Sequence, residues 1–140
     1  MMKSPFDNVD LPWEPQLSYL LVGLDVCDHG EEVRENIRKY NPNSRHGRRE
    51  LIKEVVLPGL GYLSYRHRFA LYKLLEKSLS DSGYDFSTLF EADYDNYSAV
   101  AWDETEIVDP RGFFEDIYRI AATQWKEDLQ KAGFEDQSTW

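Results

Sequence analysis

From Asp109 to Gly133 the chain is punctuated as one amphipathic helix, and no other stretch limits its possible folds as much. Asp109 supplies a carboxylate for an N-cap, and Gly133 is placed as a terminator. Pro110 suits the first helical position, because its φ is already helical and its missing N–H would have had no partner there. Between these signals Phe114, Ile117, Tyr118, Ala121, Trp125 and Leu129 recur at intervals of three or four, which gathers them on one face. So broad an aromatic face can be stable in water only if other elements cover it.

The covering elements are legible upstream. Ser64 to Ser80 reads as a helix with Phe69, Tyr72, Leu75 and Leu79 on one side, flanked by Leu71 and Leu74, and Gly83 is positioned to end it in a left-handed conformation. Pro15 followed by Leu17, Leu20, Leu21 and Leu24 predicts a helix ending near Val26. Asp28-His29-Gly30-Glu31 has capping-box spacing ahead of Val33, Ile37 and Tyr40, and Asn41-Pro42 closes that segment. Asn43-Ser44 opens another, whose stripe of Leu51, Ile52, Val55 and Val56 stops at Pro58-Gly59-Leu60-Gly61. The fold class expected is mainly α, a compact single-domain helical bundle of about five helices spanning 1–140. Ser87 caps a short helix carrying Leu89 and Phe90, and residues 98–102 and 105–108 form a short extended pair within 98–108. The opening to Glu14 is irregular, with Phe6, Val9, Leu11 and Trp13 pinning it across the core, and the tail to Trp140 is loose.

Composition agrees with a folded domain. Hydrophobic residues are 41% of the 140, and aromatics 14%, too much packing material for a disordered acidic chain. A lone cysteine, Cys27, cannot form an internal disulfide, and with only His29, His46 and His67 beside it no zinc set is expected. The segment behind Lys3 has no apolar run of leader type, and Leu17 to Val26 is too short and too interrupted to span a bilayer. A reducing, cytoplasmic setting without membrane attachment is expected, and no cofactor is implied.

The formal net charge of −10 is unevenly placed. Residues 1–80 carry 12 basic and 11 acidic side chains, whereas residues 81–140 carry 4 and 15. Between Lys77 and Arg111 there is no basic residue, and Asp81, Asp85, Glu91, Asp93, Asp95, Asp103, Glu104, Glu106 and Asp109 all fall there. Such a field repels nucleic acid and anionic lipid and attracts a basic partner.

Catalytic motifs are weak by comparison. His46, Glu50 and Glu54 step by four and could present metal ligands from one helix face, but Arg49 and Lys53 lie beside them, as on any solvated face. Asp93-Tyr94-Asp95-Asn96 resembles the start of a calcium loop but lacks the turn glycine that follows in one. Cys27 and His29 are two residues apart, a spacing that does not bring side chains together on a helix. The clusters Arg45, His46, Arg48, Arg49 and Arg66, His67, Arg68 have no phosphate-cradling glycine loop, and internal pairing with the acidic half is the simpler role for them.

More distinctive is the interleaving of Tyr84, Phe86, Phe90, Tyr94, Tyr97 and Trp102 with uncompensated acids. Buried aromatic anchors inside a single-sign rim are the anatomy of a protein interface, whereas rings facing the core would leave the acids as a solubilising shell. The interface reading assigns partner contact to Asp93, Tyr94, Asp95, Tyr97, Trp102, Asp103 and Glu104. It predicts a non-enzymatic acidic binding protein of the immunity or inhibitor type, which occludes a basic toxin domain such as a nuclease without binding nucleic acid itself. The competing expectations are a carboxylate- or divalent-metal-dependent enzyme built on Asp93, Asp95 and His46 or His67, and an adaptor for a basic protein or peptide.

Overall fold

The computed structural model describes residues 2–6, 8–25, 31–92 and 100–140. Five α-helices appear in it: α1 (Glu31–Arg38), α2 (Arg45–Leu51), α3 (Tyr65–Leu79), α4 (Pro110–Gln124) and α5 (Lys126–Gly133). They are joined by 3-10 turns, the longest at Leu17–Leu24, and no strand occurs among the described residues. The core is continuous, running from Leu17, Leu20, Leu21 and Leu24 through Leu51, Ile52, Val56, Leu71 and Leu75 to Phe113, Phe114 and Ile117.

The helix starts are chemically specified. Ser44 accepts the Gly47 N–H at 3.0 Å, Ser64 accepts that of His67 at 3.3 Å, and Asp109 accepts that of Gly112 at 3.0 Å with Pro110 in the first position. Each satisfies a backbone donor that the first helical turn leaves unpaired.

Several elements differ from expectation for physical reasons. Leu17–Leu24 is wound as a 3-10 helix, whose three-residue repeat lines Leu17 and Leu20 up with Gly23. Gly23 there meets the Pro58–Leu60 turn backbone to backbone: a Cβ on Gly23 would lie 2.6 Å from the Val55 carbonyl oxygen, and one on Gly59 would lie 2.8 Å from the Gly23 Cα. Beyond Leu51 the helix widens into a π-turn over Ile52–Val56, which keeps both Ile52 and Val56 in the core. On α3 the buried residues are His67, Phe69, Leu71, Leu75 and Ser78, so the core stripe is rotated from the expected one. Gly83 does not adopt a left-handed conformation; α3 ends at Ser80, and the Gly83 N–H donates to Asp81 Oδ1 in the turn that follows. The single helix expected over 110–133 is broken at Trp125, whose φ of −100° and ψ of 15° leave the helical region. The break aims α5 along α3, where Arg68 pairs with Asp128 at 2.7 Å and lies over the Trp125 ring.

The extended pair expected over 98–108 is absent among the described residues. Val100 forms one isolated bridge to Asp25, and residues 103–106 close a turn instead. Asp85, rather than Ser87, caps the 3-10 turn Phe86–Phe90. At the ends, Phe6 and Leu11 are exposed, and of the four N-terminal apolar residues Trp13 is the one packed on the core. The tail is held: the Trp140 ring meets Phe69 edge-on at 5.7 Å, and Glu135 accepts from Arg66 and Tyr65. The capping box at Asp28 and the Cys27–His29 pair lie outside the described residues.

A polar bridge between α3 and α4 gives the fold a pH signature. Tyr118 donates to Glu76 at 2.6 Å while stacking on Tyr72 at 4.7 Å, and Lys73 reaches the other Glu76 oxygen at 3.3 Å. The Tyr118 hydrogen bond holds the Glu76 carboxyl below its ordinary 4.5, and Glu76 in turn pushes the Tyr118 hydroxyl above its ordinary 10.0. Stability from the depressed carboxyl is present above 4.5 and is lost as pH falls through the folded-state value; that from the raised phenol is present below 10.0 and is lost as pH rises beyond it. Tyr118→Phe is expected to return the Glu76 titration toward 4.5 in an NMR pH series and to flatten the acid limb of stability. A Glu76 midpoint unmoved by the substitution would assign its shift to another cause.

Candidate functional site: an acidic cleft

The turn over residues 103–106 is built outward from two buried anchors. Trp102 and Ile107 are both in the core, at 6% and 5% exposure, so the residues between them are forced to the surface. Asp103 organises the turn: its Oδ1 accepts the Thr105 N–H at 2.9 Å and the Thr105 hydroxyl at 2.5 Å, while its own N–H donates to Glu106 Oε1 at 3.2 Å. Asn43 clamps the far side, donating to the Glu106 carbonyl at 2.8 Å and accepting the Val108 N–H at 2.9 Å. The near side is tied to the Leu17–Leu24 helix by the Ala101 N–H, which reaches the Leu24 carbonyl at 2.9 Å.

This turn faces α1 and the end of the Phe86–Phe90 turn across a cleft of about 520 Å³. Glu91, Asp103, Glu104 and Glu106 contribute four carboxylates to its lining, against the guanidinium groups of Arg34 and Arg38. Arg38 pairs with Glu106, whereas Glu91 and Glu104 are exposed and have no ion-pair partner among the described residues. The Thr105 hydrogen bonds, aided by Arg38, hold the Asp103 carboxyl below the usual carboxylate range, so this acid stays ionised in mildly acidic solution. No histidine, cysteine or serine is among the described lining residues, which offer four carboxylates as acceptors and two guanidinium groups as donors.

No protein-family model, curated protein or solved structure matches the chain. What the cleft can do therefore follows from its own chemistry.

Of the residues assigned to partner contact from sequence, Asp103 and Glu104 are brought together on the cleft wall. Asp93, Tyr94, Asp95 and Tyr97 lie outside the described residues, as does the Asp93–Asn96 calcium-like run; in sequence they fall between Ala92 and Val100, both of which line the cleft. Trp102 is part of the core, and so are Phe86 and Phe90, so for these three rings the core-facing alternative describes the structure. Tyr84 is half-buried against the same cluster. The other acids of the segment serve the backbone: Asp81, Asp85 and Asp109 each accept N–H groups of a turn or helix start.

The metal and enzyme alternatives can be placed as well. Glu54 accepts the Tyr40 hydroxyl, and no group of three metal-ligating side chains occurs among the described residues. His67 is buried away from the cleft, with Nδ1 2.6 Å from the Ser64 hydroxyl and Nε2 2.7 Å from the Lys3 carbonyl. A carbonyl can only accept, so Nε2 carries the proton and the ring pins the N-terminal segment. The basic clusters are largely paired with the acidic half: Arg48 with Asp116, Arg66 with Glu135 and Arg68 with Asp128.

Sequence reasoning left Glu91, Glu106, Arg34 and Arg38 out of the site. The four-residue step from Arg34 to Arg38, which puts both on one face of α1, was the available signal for the arginines. For Glu91 and Glu106, membership of the cation-free run was the only one.

Among the described residues, no helix is long and apolar enough to cross a membrane.

Proposed function

We propose that the chain is a non-enzymatic binding protein that presents its acidic cleft to a basic protein partner, and that it acts as an immunity or inhibitor protein occluding a cationic toxin domain. The supporting observation is the convergence of Glu91, Asp103, Glu104 and Glu106 on one cleft, with two arginines as the only cations among its described lining residues. A nuclease-like surface holds phosphate with lysines and arginines, and a rigid set of carboxylates can occupy the positions that phosphates would take. The Asp103 turn supplies part of that rigidity, since its hydrogen bonds and its buried anchors fix Asp103 and Glu106 before a partner arrives, and less ordering entropy is lost on binding. Like-signed charge also accelerates encounter with an oppositely charged surface. Inhibition in this reading is occlusion without turnover.

The test uses the partner captured on the immobilised chain. Glu91→Gln with Glu104→Gln should slow association several-fold at low salt and flatten its salt dependence, while dissociation changes less. The same should hold for Asp93→Ala with Asp95→Ala. An association rate and salt slope left unchanged by both pairs would remove the cleft from the interface, and a partner of net acidic charge would end the reading.

A further inference from the structure

On the side of the molecule built by α2, its π-turn and α4 lies a second groove, of about 490 Å³, lined by Arg49, Lys53, Asp116, Arg119, Ile120, Thr123 and Gln124. Its charge is opposite to that of the acidic cleft. Arg38, Arg48, Arg66 and Arg68 each have an acidic partner, but Arg49 and Lys53 have none among the described residues. The carboxylates of the same helical stretch are directed elsewhere: Glu54 accepts the Tyr40 hydroxyl, and both Glu54 and Glu50 act on that phenol. The one acid among the groove's described lining residues, Asp116, is buried and already shared between Arg48 Nε at 2.7 Å and Arg119 Nη1 at 3.0 Å. It neutralises only one of those two guanidiniums and fixes Arg119, which is otherwise solvent-facing, at the rim.

We infer that this groove binds a small organic phosphate. A phosphate group has several oxygens to satisfy from different directions, and the groove offers two guanidinium groups, an ammonium, a hydroxyl and a carboxamide on two helices. Arg119 is preorganised by Asp116, which lowers the cost of ordering it on the ligand. Ile120 and the aliphatic stems of Arg49 and Lys53 give the organic part an apolar wall. The volume is in the range of small-ligand sites. A polynucleotide is disfavoured, because the rest of a chain of net charge −10 would repel the phosphates extending beyond the groove.

The experiment is an NMR titration of the full chain with inorganic phosphate and with phenyl phosphate, at constant ionic strength held with chloride. Saturable shifts centred on Arg49, Lys53, Thr123 and Gln124 are expected, with phenyl phosphate the tighter of the two. Arg49→Gln with Lys53→Gln, both away from the core, should keep the parent's melting temperature and weaken binding about tenfold or more, the loss of at least one charge-assisted hydrogen bond. Thr123→Val should weaken it less. Shifts that fail to saturate, binding retained by the double variant, or tighter binding of a single-stranded oligonucleotide than of phenyl phosphate would each overturn the inference. None of these readouts involves the acidic cleft.

Discussion

Replacing Asp116 with alanine is expected to lower the unfolding free energy by about 3–5 kcal/mol, the cost of leaving a buried charge without its partner. Asp116 is a charged side chain at 4% exposure, and it joins α2 to α4 through Arg48 and, within α4, Arg119. Arg48 can be stranded, because its side chain is only 16% exposed and its Nε has Asp116 as its acceptor. Arg119, 63% exposed, can return to water. Asp116→Asn should cost less, since the amide oxygen still accepts, and Arg48→Met combined with Asp116→Leu should recover most of the loss, because the pair's own desolvation penalty disappears with it. The check is a urea titration in which the midpoint falls while the slope stays constant. A loss below about 1 kcal/mol, the range of an exposed pair, would mean that Arg48 finds water when Asp116 is gone.

That pair also shows how far the sequence could be read. Internal pairing of the early arginines with the acidic half follows from charge placement alone, and Arg48, Arg66 and Arg68 do pair that way. Which acid each would meet does not follow, because it depends on how helices distant in sequence lie against one another. Helix starts were legible because a cap is a local event: Ser44, Ser64 and Asp109 each satisfy an N–H three residues on. Helix interiors and ends were less so. Periodicity does not distinguish Leu17–Leu24 as a 3-10 helix from an α-helix, since Leu17, Leu20, Leu21 and Leu24 suit both windings. The tight winding is set by the approach of Gly23 to Val55 and Gly59, a contact between segments. Likewise the apolar spacing runs straight through Trp125, and the break there is a packing event that puts α5 on α3.

The acidic segment divides along the same line. Its sequence marks it as cation-free, but it cannot say that Asp81, Asp85 and Asp109 would serve turns while Glu91, Asp103, Glu104 and Glu106 would converge. Aromatic rings at Phe86, Phe90 and Trp102 look the same in sequence whether they face a partner or the core. In the structure all three face the core, and Phe90 also lines the cleft, so the acids of the described cleft stand over a packed aromatic base.

Phe114→Ala tests that base, and it is expected to cost about 3–5 kcal/mol, as for other large buried rings. Phe114 is fully buried at the centre of an aromatic group, with ring centroids 5.1 Å from Phe86, 5.8 Å from Phe90 and 6.1 Å from Phe113. The phenyl ring leaves a cavity that three neighbouring rings cannot close without leaving their own tilted or edge-on contacts. Phe90 carries the effect to the surface, because it lines the acidic cleft and is immediately followed by Glu91. Beyond the loss in stability, amide exchange should quicken at Glu91 and Ala92 relative to helix α5, which contributes no ring to this group. Phe114→Leu keeps most of the volume and should cost less on both counts. If Phe114→Ala destabilises the chain as expected but leaves exchange at Glu91 and Ala92 in step with α5, the aromatic group supports the fold without positioning the cleft.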